Sequence, residues 1–365
     1  MRIALACLWL AGLLSGLQAA DYTYTLSWLA PHLHTYVIEL EVSAKGTETT
    51  FGMPIWRPGR YRDQFFAAGV NQFEAFNRKG NKLKWEQIDP SRWAVTHKDG
   101  EKVRIRYQVR AEQIDAGSSN IGPREIYFNP VNLFMYVNQD YDASVSLRMP
   151  DLDKTWDVAS ALDYDAASQT FTAGSYHEFV DCPTVCAPDI HQLSFQDQGV
   201  TFKLYFQGDY KGNKKTDAAI LEAVQKICAE QRAIFGAYPF EDYHLIYRLL
   251  PNRFRHAVEH SNSVSFAVPA DVTSTPQKIV GGLASLTAHE VFHAWNVKRI
   301  RPARLWPYDY SQPQHSSLHW FTEGVTDYYS FLTLVRAGIW TEEQFLNRLG
   351  ANLTRVENDY AAWVR

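Results

Sequence analysis

The chain predicts an α+β fold, with a β-rich first part followed by a mixed part that becomes helical. Three observations predict it. From Asp21 to about Asp209, apolar residues recur at every second position, the mark of antiparallel strands with one packed and one wet face. Near Lys211-Gly212-Asn213 the spacing turns helical. At 365 residues the chain is also long for a single hydrophobic core, so two domains are expected.

In chain order, residues 1–20 read as a secretory signal peptide. Arg2 is a short positive start, Ile3 to Leu17 is apolar, and Gln18-Ala19-Ala20 offers small residues for cleavage. The mature protein is therefore expected beyond the inner membrane, in the periplasm. No later run is long enough to span a bilayer. Residues 21–212 form the first domain, an antiparallel β-sandwich or large curved sheet, with strands such as Thr35–Ser43, Val103–Val109 and Val200–Gly208. Residues 213–365 form the second. Thr216-Asp217 can cap a helix with the stripe Ile220, Val224, Ile227 and Ile234, which Gly236 and Pro239 end. Two strand-like runs, YHLIYRLL and SVSFAV, lead to three helical segments: one starting at Ser274-Thr275-Pro276, one near 318–337 and one near 342–363. The 46% apolar and 21% charged composition is that of a globular protein. A net charge of -4 argues against a nucleic-acid partner held through its phosphates, and nothing in the sequence sets an oligomeric state.

The chemistry concentrates in LTAHEVFHAWNVKRIRP, Leu286 to Pro302. His289 and His293, four apart, share one helix face and continue the apolar stripe of Ile279, Leu283 and Leu286, so they point inward. Two imidazoles one turn apart can hold one tetrahedral Zn2+. Glu290 is rotated about 100° from His289, beside the metal and not on it, where a carboxylate can act as general base towards water acidified by the ion. A glycine and third histidine downstream would need Gly at 296 and His at 299, but the chain has Asn296 and Arg299. Glu323 is the candidate third ligand, ahead of His315 and His319; thirty residues after His293 leave room for a turn and a facing helix. Asp327, four further on, can accept a hydrogen bond from the far nitrogen of His289. Lys298, Arg299 and Arg301 read as a solvated or ion-paired helix end, and Tyr328 and Tyr329 as core packing. Cys182 and Cys186 can form a disulfide in an oxidising compartment; a metal site on them would want two more ligands. Cys228 reads as a small buried hydrophobe.

HEVFHAWNVKRIRP with FTEGVTDYY resembles the glycyl aminopeptidase family of PDZ-containing zinc metallopeptidases. MPIWRPGRYRDQF (Met53–Phe65) is similar to that family's Trp-x-Pro-Gly-x-Tyr motif, and FGAYPFEDYHLIY (Phe235–Tyr247) to the segment opening its catalytic domain. The resemblance implies a thermolysin-like second domain, zinc ligands His289, His293 and Glu323, and Glu290 as general base. HAVEHSNS (His256–Ser263) matches the family's Gly-Gly-Leu-Glu-His motif at Glu259 and His260, with His256 and Ala257 in place of its glycines. It implies that these two residues meet the substrate, Glu259 through the free α-amine. The chain stops at Arg365 within a helical pattern, so the family's oxyanion tyrosine and PDZ domain are expected to lie on a longer protein of which this is a truncated copy. The reading is a zinc aminopeptidase that removes N-terminal Gly or Ala from peptides. The alternatives are an endopeptidase of the same fold, or a non-catalytic peptide-binding or quality-control module.

Overall fold

The computed structural model describes residues 20–363; the leader expected at 1–20 lies outside them except for Ala20. The first part builds one seven-stranded and two four-stranded sheets. Strands Tyr22–Trp28, Thr35–Ser43 and Lys102–Arg110 are neighbours in the largest. Ile38 lies opposite Tyr107, and Leu40 opposite Ile105, all fully buried. On the other face Glu39 meets Arg104 at 3.1 Å and Arg106 at 3.7 Å, and Glu41 meets Lys102 at 2.7 Å. Alternation thus separates a dry face from a charged one. One pairing departs from antiparallel order: Tyr22–Trp28 runs parallel to Val145–Arg148. The core is rich in tyrosine, and three buried hydroxyls find backbone acceptors: Tyr24 donates to Met135 O, Tyr107 to Leu133 O and Tyr176 to Phe134 O, each at 2.7 Å.

The second part is organised by a five-stranded mixed sheet. Its strands are β1 (Ile190–Asp197), β2 (Val200–Gly208), β3 (Asp242–Leu250), β4 (His256–Glu259) and β5 (Ser263–Pro269), in the order β1-β2-β3-β5-β4. Helix α1 (Lys214–Phe235) is the crossover between the parallel strands β2 and β3. Asn213, not Thr216, is its N-cap: Asn213 accepts from Thr216 N while the Thr216 hydroxyl returns to Asn213 N. Gly236 ends it with φ 88°, a conformation glycine adopts freely.

The sheet also redraws the boundary placed at 212. Val200–Gly208 alternates like the strands before it but registers with β3, so the division between sheets falls between Ala187 and Ile190. Alternation reports a half-buried strand without saying which sheet it joins.

Arg248 on β3 stitches the two parts together. Fully buried, it donates to Asp115 O (3.0 Å) and Asn120 Oδ1 (2.6 Å), pairs with Glu125 at 3.2 Å, and lies 4.0 Å from the centre of the Tyr127 ring. Three helices follow β5: α2 (Ala284–Phe292), α3 (Thr326–Arg336) and α4 (Glu342–Trp363). No helix among the described residues is long and apolar enough to cross a membrane.

The disulfide expected between Cys182 and Cys186 is absent: both are free and buried, as is Cys228. Cys186 lies within the extended strand Thr184–Ala187, opposite Ile126 and Val158. Cys182 lies outside that strand, just after a turn, and the two thiols do not meet. Thiol titration of the unfolded, unreduced mature protein is expected to count three cysteines, and dithiothreitol to leave Tm unchanged. A count of one would restore the disulfide.

Candidate metal centre

Thr275 caps the approach to α2 by accepting from Lys278 N, and Pro276 follows at the first helical position. A π-helical turn, Ile279–Leu283, then runs into α2. The helix is pinned from behind. The Thr287 hydroxyl lies 3.0 Å from that of Tyr247, and Gln231 donates to Ala288 O at 2.6 Å. His289 therefore projects from a fixed helix and His293 from the C-cap position that ends it. The facing segment opens with a second π-helical turn, Trp320–Val325, which carries Glu323 and continues into α3.

These elements bring together His289, His293 and Glu323. The two Nε2 atoms are 3.1 Å apart, and Glu323 Oε2 lies 3.5 Å from that of His289 and 3.7 Å from that of His293. Each imidazole has its other nitrogen engaged: His289 Nδ1 with Asp327 Oδ1 at 2.9 Å, and His293 Nδ1 with Asn296 O at 2.8 Å. Both acceptors want an N–H, so the tautomers leave the Nε2 lone pairs converging on one point. Zinc bonds of about 2.0–2.1 Å imply a tetrahedral edge of roughly 3.3 Å, close to the three separations found. The residues fit a zinc ion.

Electrostatics point the same way. Burial opposes charge on His289, but hydrogen bonds to Asp327 and Glu323, together with the Glu290 carboxylate, outweigh it and hold the ring up to about 10. Burial, and then His289 beside it, press His293 down to about 4. The surrounding carboxylates thus favour a single positive charge at the point the two rings share. Glu290, buried, is pushed well above the ordinary carboxylate range, first by burial and then by Glu259, Glu323 and Asp327, against the pull of His289.

Glu259, at the end of the edge strand β4, is only 4% exposed. Its carboxylate, that of Glu290 and an imidazole nitrogen of His293 all lie within 4.8 Å of one another. Its companion in the motif goes elsewhere. His260 Nδ1 is 3.0 Å from Asp181 Oδ1, inside a buried cluster that Lys298 joins at 2.9 Å, so the motif sends only its glutamate to the metal group. Of the solvated or ion-paired helix end expected, Lys298 takes the ion-paired form but is buried, 1% exposed, because Asp181 draws it inward. His315 pairs with Asp63 at 3.4 Å. His319 packs against Tyr61, with ring centroids 4.6 Å apart. Tyr329 stacks on Phe292, while Tyr328 is 46% exposed and not core.

The sequence reading missed who holds Glu259. Tyr61, from the first domain, donates its hydroxyl to Glu259 Oε1 at 3.0 Å. Its backbone is left-handed at φ 52°, uncommon for a residue with a side chain. Gly59, at φ 79°, lies so close that a β-carbon there would come within 2.9 Å of Glu259 Oε2. The Trp56–Tyr61 motif was visible in the sequence; its destination was not. Asn296 was missed as well. Besides its carbonyl on His293, its amide donates to Thr322 O at 3.3 Å and Thr326 Oγ1 at 3.1 Å, locking the two helical segments together.

The family model for the Peptidase M61 N-terminal domain matches residues 23–188, and that for M61 glycyl aminopeptidase matches 282–365. A similar solved structure is that of an aminopeptidase N family protein from Idiomarina loihiensis, with a TM-score of 0.83 and 25% sequence identity. The match covers 92% of this chain and 58% of that one, so the chain spans little more than half that protein's length. Among curated proteins, none matches the chain.

Asp327→Ala is expected to weaken zinc binding by about 10–100-fold, the usual cost of losing a carboxylate behind a ligating histidine. Competition with a chromophoric chelator measures it, and an unchanged affinity would remove Asp327 from the site.

Proposed function

The chain belongs to the M61 glycyl aminopeptidase family, and on that premise we propose that it is a zinc-dependent aminopeptidase trimming free amino termini. Glu259 carries the reading. It is a buried carboxylate beside Glu290 and His293, and among the described residues its side chain has no cationic partner, only the Tyr61 hydroxyl. A buried carboxylate without a counter-charge is costly. An α-ammonium group supplies that charge and fixes the first residue of a peptide against the centre.

His289, His293 and Glu323 would hold the ion, with Asp327 and Asn296 fixing the two imidazoles. When bound, zinc supplies a Lewis acid that polarises the scissile carbonyl and acidifies water. Glu290 takes the proton from water at its carboxylate and hands it to the leaving amine; its raised pKa suits both halves of that task. Tyr61 orients Glu259, and the packed helices exclude bulk water from Glu290 and His293. A preference for glycine or alanine at the first position belongs to the same proposal and rests on the family. A periplasmic setting rests on the leader read at residues 1–20.

The test is mass spectrometry of a peptide mixture, half of it amino-acetylated, incubated with zinc-loaded protein. Stepwise trimming of only the free peptides supports the reading; cleavage within both kinds would make the protein an endopeptidase. Glu290→Gln is expected to lose about 10²–10⁴-fold in kcat while still binding zinc. Unchanged activity in that variant would sink the catalytic reading. Tyr61→Phe removes a hydrogen bond to a charged group, worth about 1.5–3 kcal/mol, so kcat/KM for free-amine peptides is expected to fall roughly ten- to a hundredfold. An effect of less than twofold would deny Tyr61 its part.

A further inference from the structure

The loop that delivers Gly59 and Tyr61 to Glu259 also carries three arginines, and one of them has no structural employment. Arg57 is 3% exposed, yet its Nε has no hydrogen-bond partner and its guanidinium no ion pair among the described residues. Glu259 acts on Arg57 only from beyond ion-pair distance, and the other carboxylates nearby are engaged. Asp115 accepts from Gly117 N and Ser118 N, both at 2.7 Å, Glu112 pairs with Arg110 at 2.7 Å, and Asp63 lies against His315. Arg60 and Arg62 likewise have no ion-pair partner among the described residues. All three line a cavity of about 530 Å³ with Ser118 and Ser119 on its wall. The chain makes room for this arrangement: a β-carbon on Gly117 would lie 2.2 Å from Arg57 Nη2. Burial, and then Arg60, pull the Arg57 guanidinium down to about 10, so it remains a cation at neutral pH.

An unpaired buried guanidinium is expensive for a fold to keep, and its forked donors match a carboxylate. We propose that the cavity at Arg57 is an anion subsite that takes a carboxylate. This rests on the aminopeptidase reading for its source, since Arg57 and Glu259 carry opposite charges, neither in an ion pair among the described residues, and the loop from Arg57 to Tyr61 also touches Glu259. A peptide whose α-ammonium meets Glu259 and whose acidic side chain lies near its amino end would satisfy both charges. A free organic acid offers the same chemistry.

The experiment compares wild type, Arg57→Met and Gly117→Ala; the last pushes the guanidinium aside without removing it. Thermal melting is followed with succinate and, as a contrast, inorganic phosphate. The expected result is a rise in Tm with succinate for wild type and none for either variant, with Arg57→Met melting no lower than wild type when no anion is added. In parallel, kcat/KM is measured for free-amine peptides with Glu or Gln at the first three positions. A Glu preference of at least tenfold in wild type, reduced below twofold in Arg57→Met, makes the carboxylate the substrate's own; a succinate shift without that preference assigns the subsite to a free acid. Stabilisation by phosphate but not succinate overturns the proposal. So does the absence of any shift, or a Tm several degrees lower for Arg57→Met, which would make Arg57 a structural cation. Melting requires no turnover, so a succinate shift in a protein that trims nothing would defeat only the peptidase reading.

Discussion

Two imidazole nitrogens, those of His289 and His293, face each other at 3.1 Å, and each ring has its other nitrogen spoken for. Much of the second domain answers to this arrangement. Lone pairs so close repel unless positive charge lies between them. The helix that carries them is pinned by Tyr247 and Gln231, so the rings cannot relax apart by moving their backbone. Carboxylates from the facing segment complete the demand: Glu323 at the same point, Asp327 behind His289. Asn296 acts on both sides, with its carbonyl on one imidazole and its amide on the segment that presents Glu323. The charge balance of the site and the docking of its two helical segments are therefore one problem with one solution.

A second layer of constraint comes from the seam between the sheets. Arg248 is spent on it, with two neutral acceptors, one carboxylate and one aromatic face. The Tyr127 hydroxyl lies 2.7 Å from that of Ser265 on β5, across the same seam. These contacts hold the first domain in register with the edge strand β4, which lets a side chain at position 61 reach one at position 259. Arg57 provides the contrast: each arginine leaves its Nε without a partner, but only the Nη atoms of Arg248 meet acceptors among the described residues.

What was legible in the sequence was whatever obeys a local period. Strand alternation placed Ile38, Leu40 and Ile105 in a core, and four-residue spacing put His289 over His293 and Glu323 over Asp327. The structure brings those four side chains together. Relations between distant segments were not legible. Tyr61 and Glu259 are 198 residues apart, and no spacing rule joins them. Val200–Gly208 alternates like its predecessors, and only its parallel partner reveals its sheet. Lys298 looked like part of a basic helix end because Asp181, 117 residues away, could not be seen to await it. The cysteine pair misled for the opposite reason. Nearness in sequence suggested a bond that the fold does not make.

The dependence of Glu259 on Tyr61 has a consequence for how such a chain comes to life. The metal group belongs wholly to the second domain, but the residue that steadies its innermost carboxylate is made more than two hundred residues before His289, in a separately folded unit. Assembly of the complete cleft is thus a coincidence signal: it exists only after both domains have folded and docked. A half-finished or misdocked molecule lacks the steadied carboxylate.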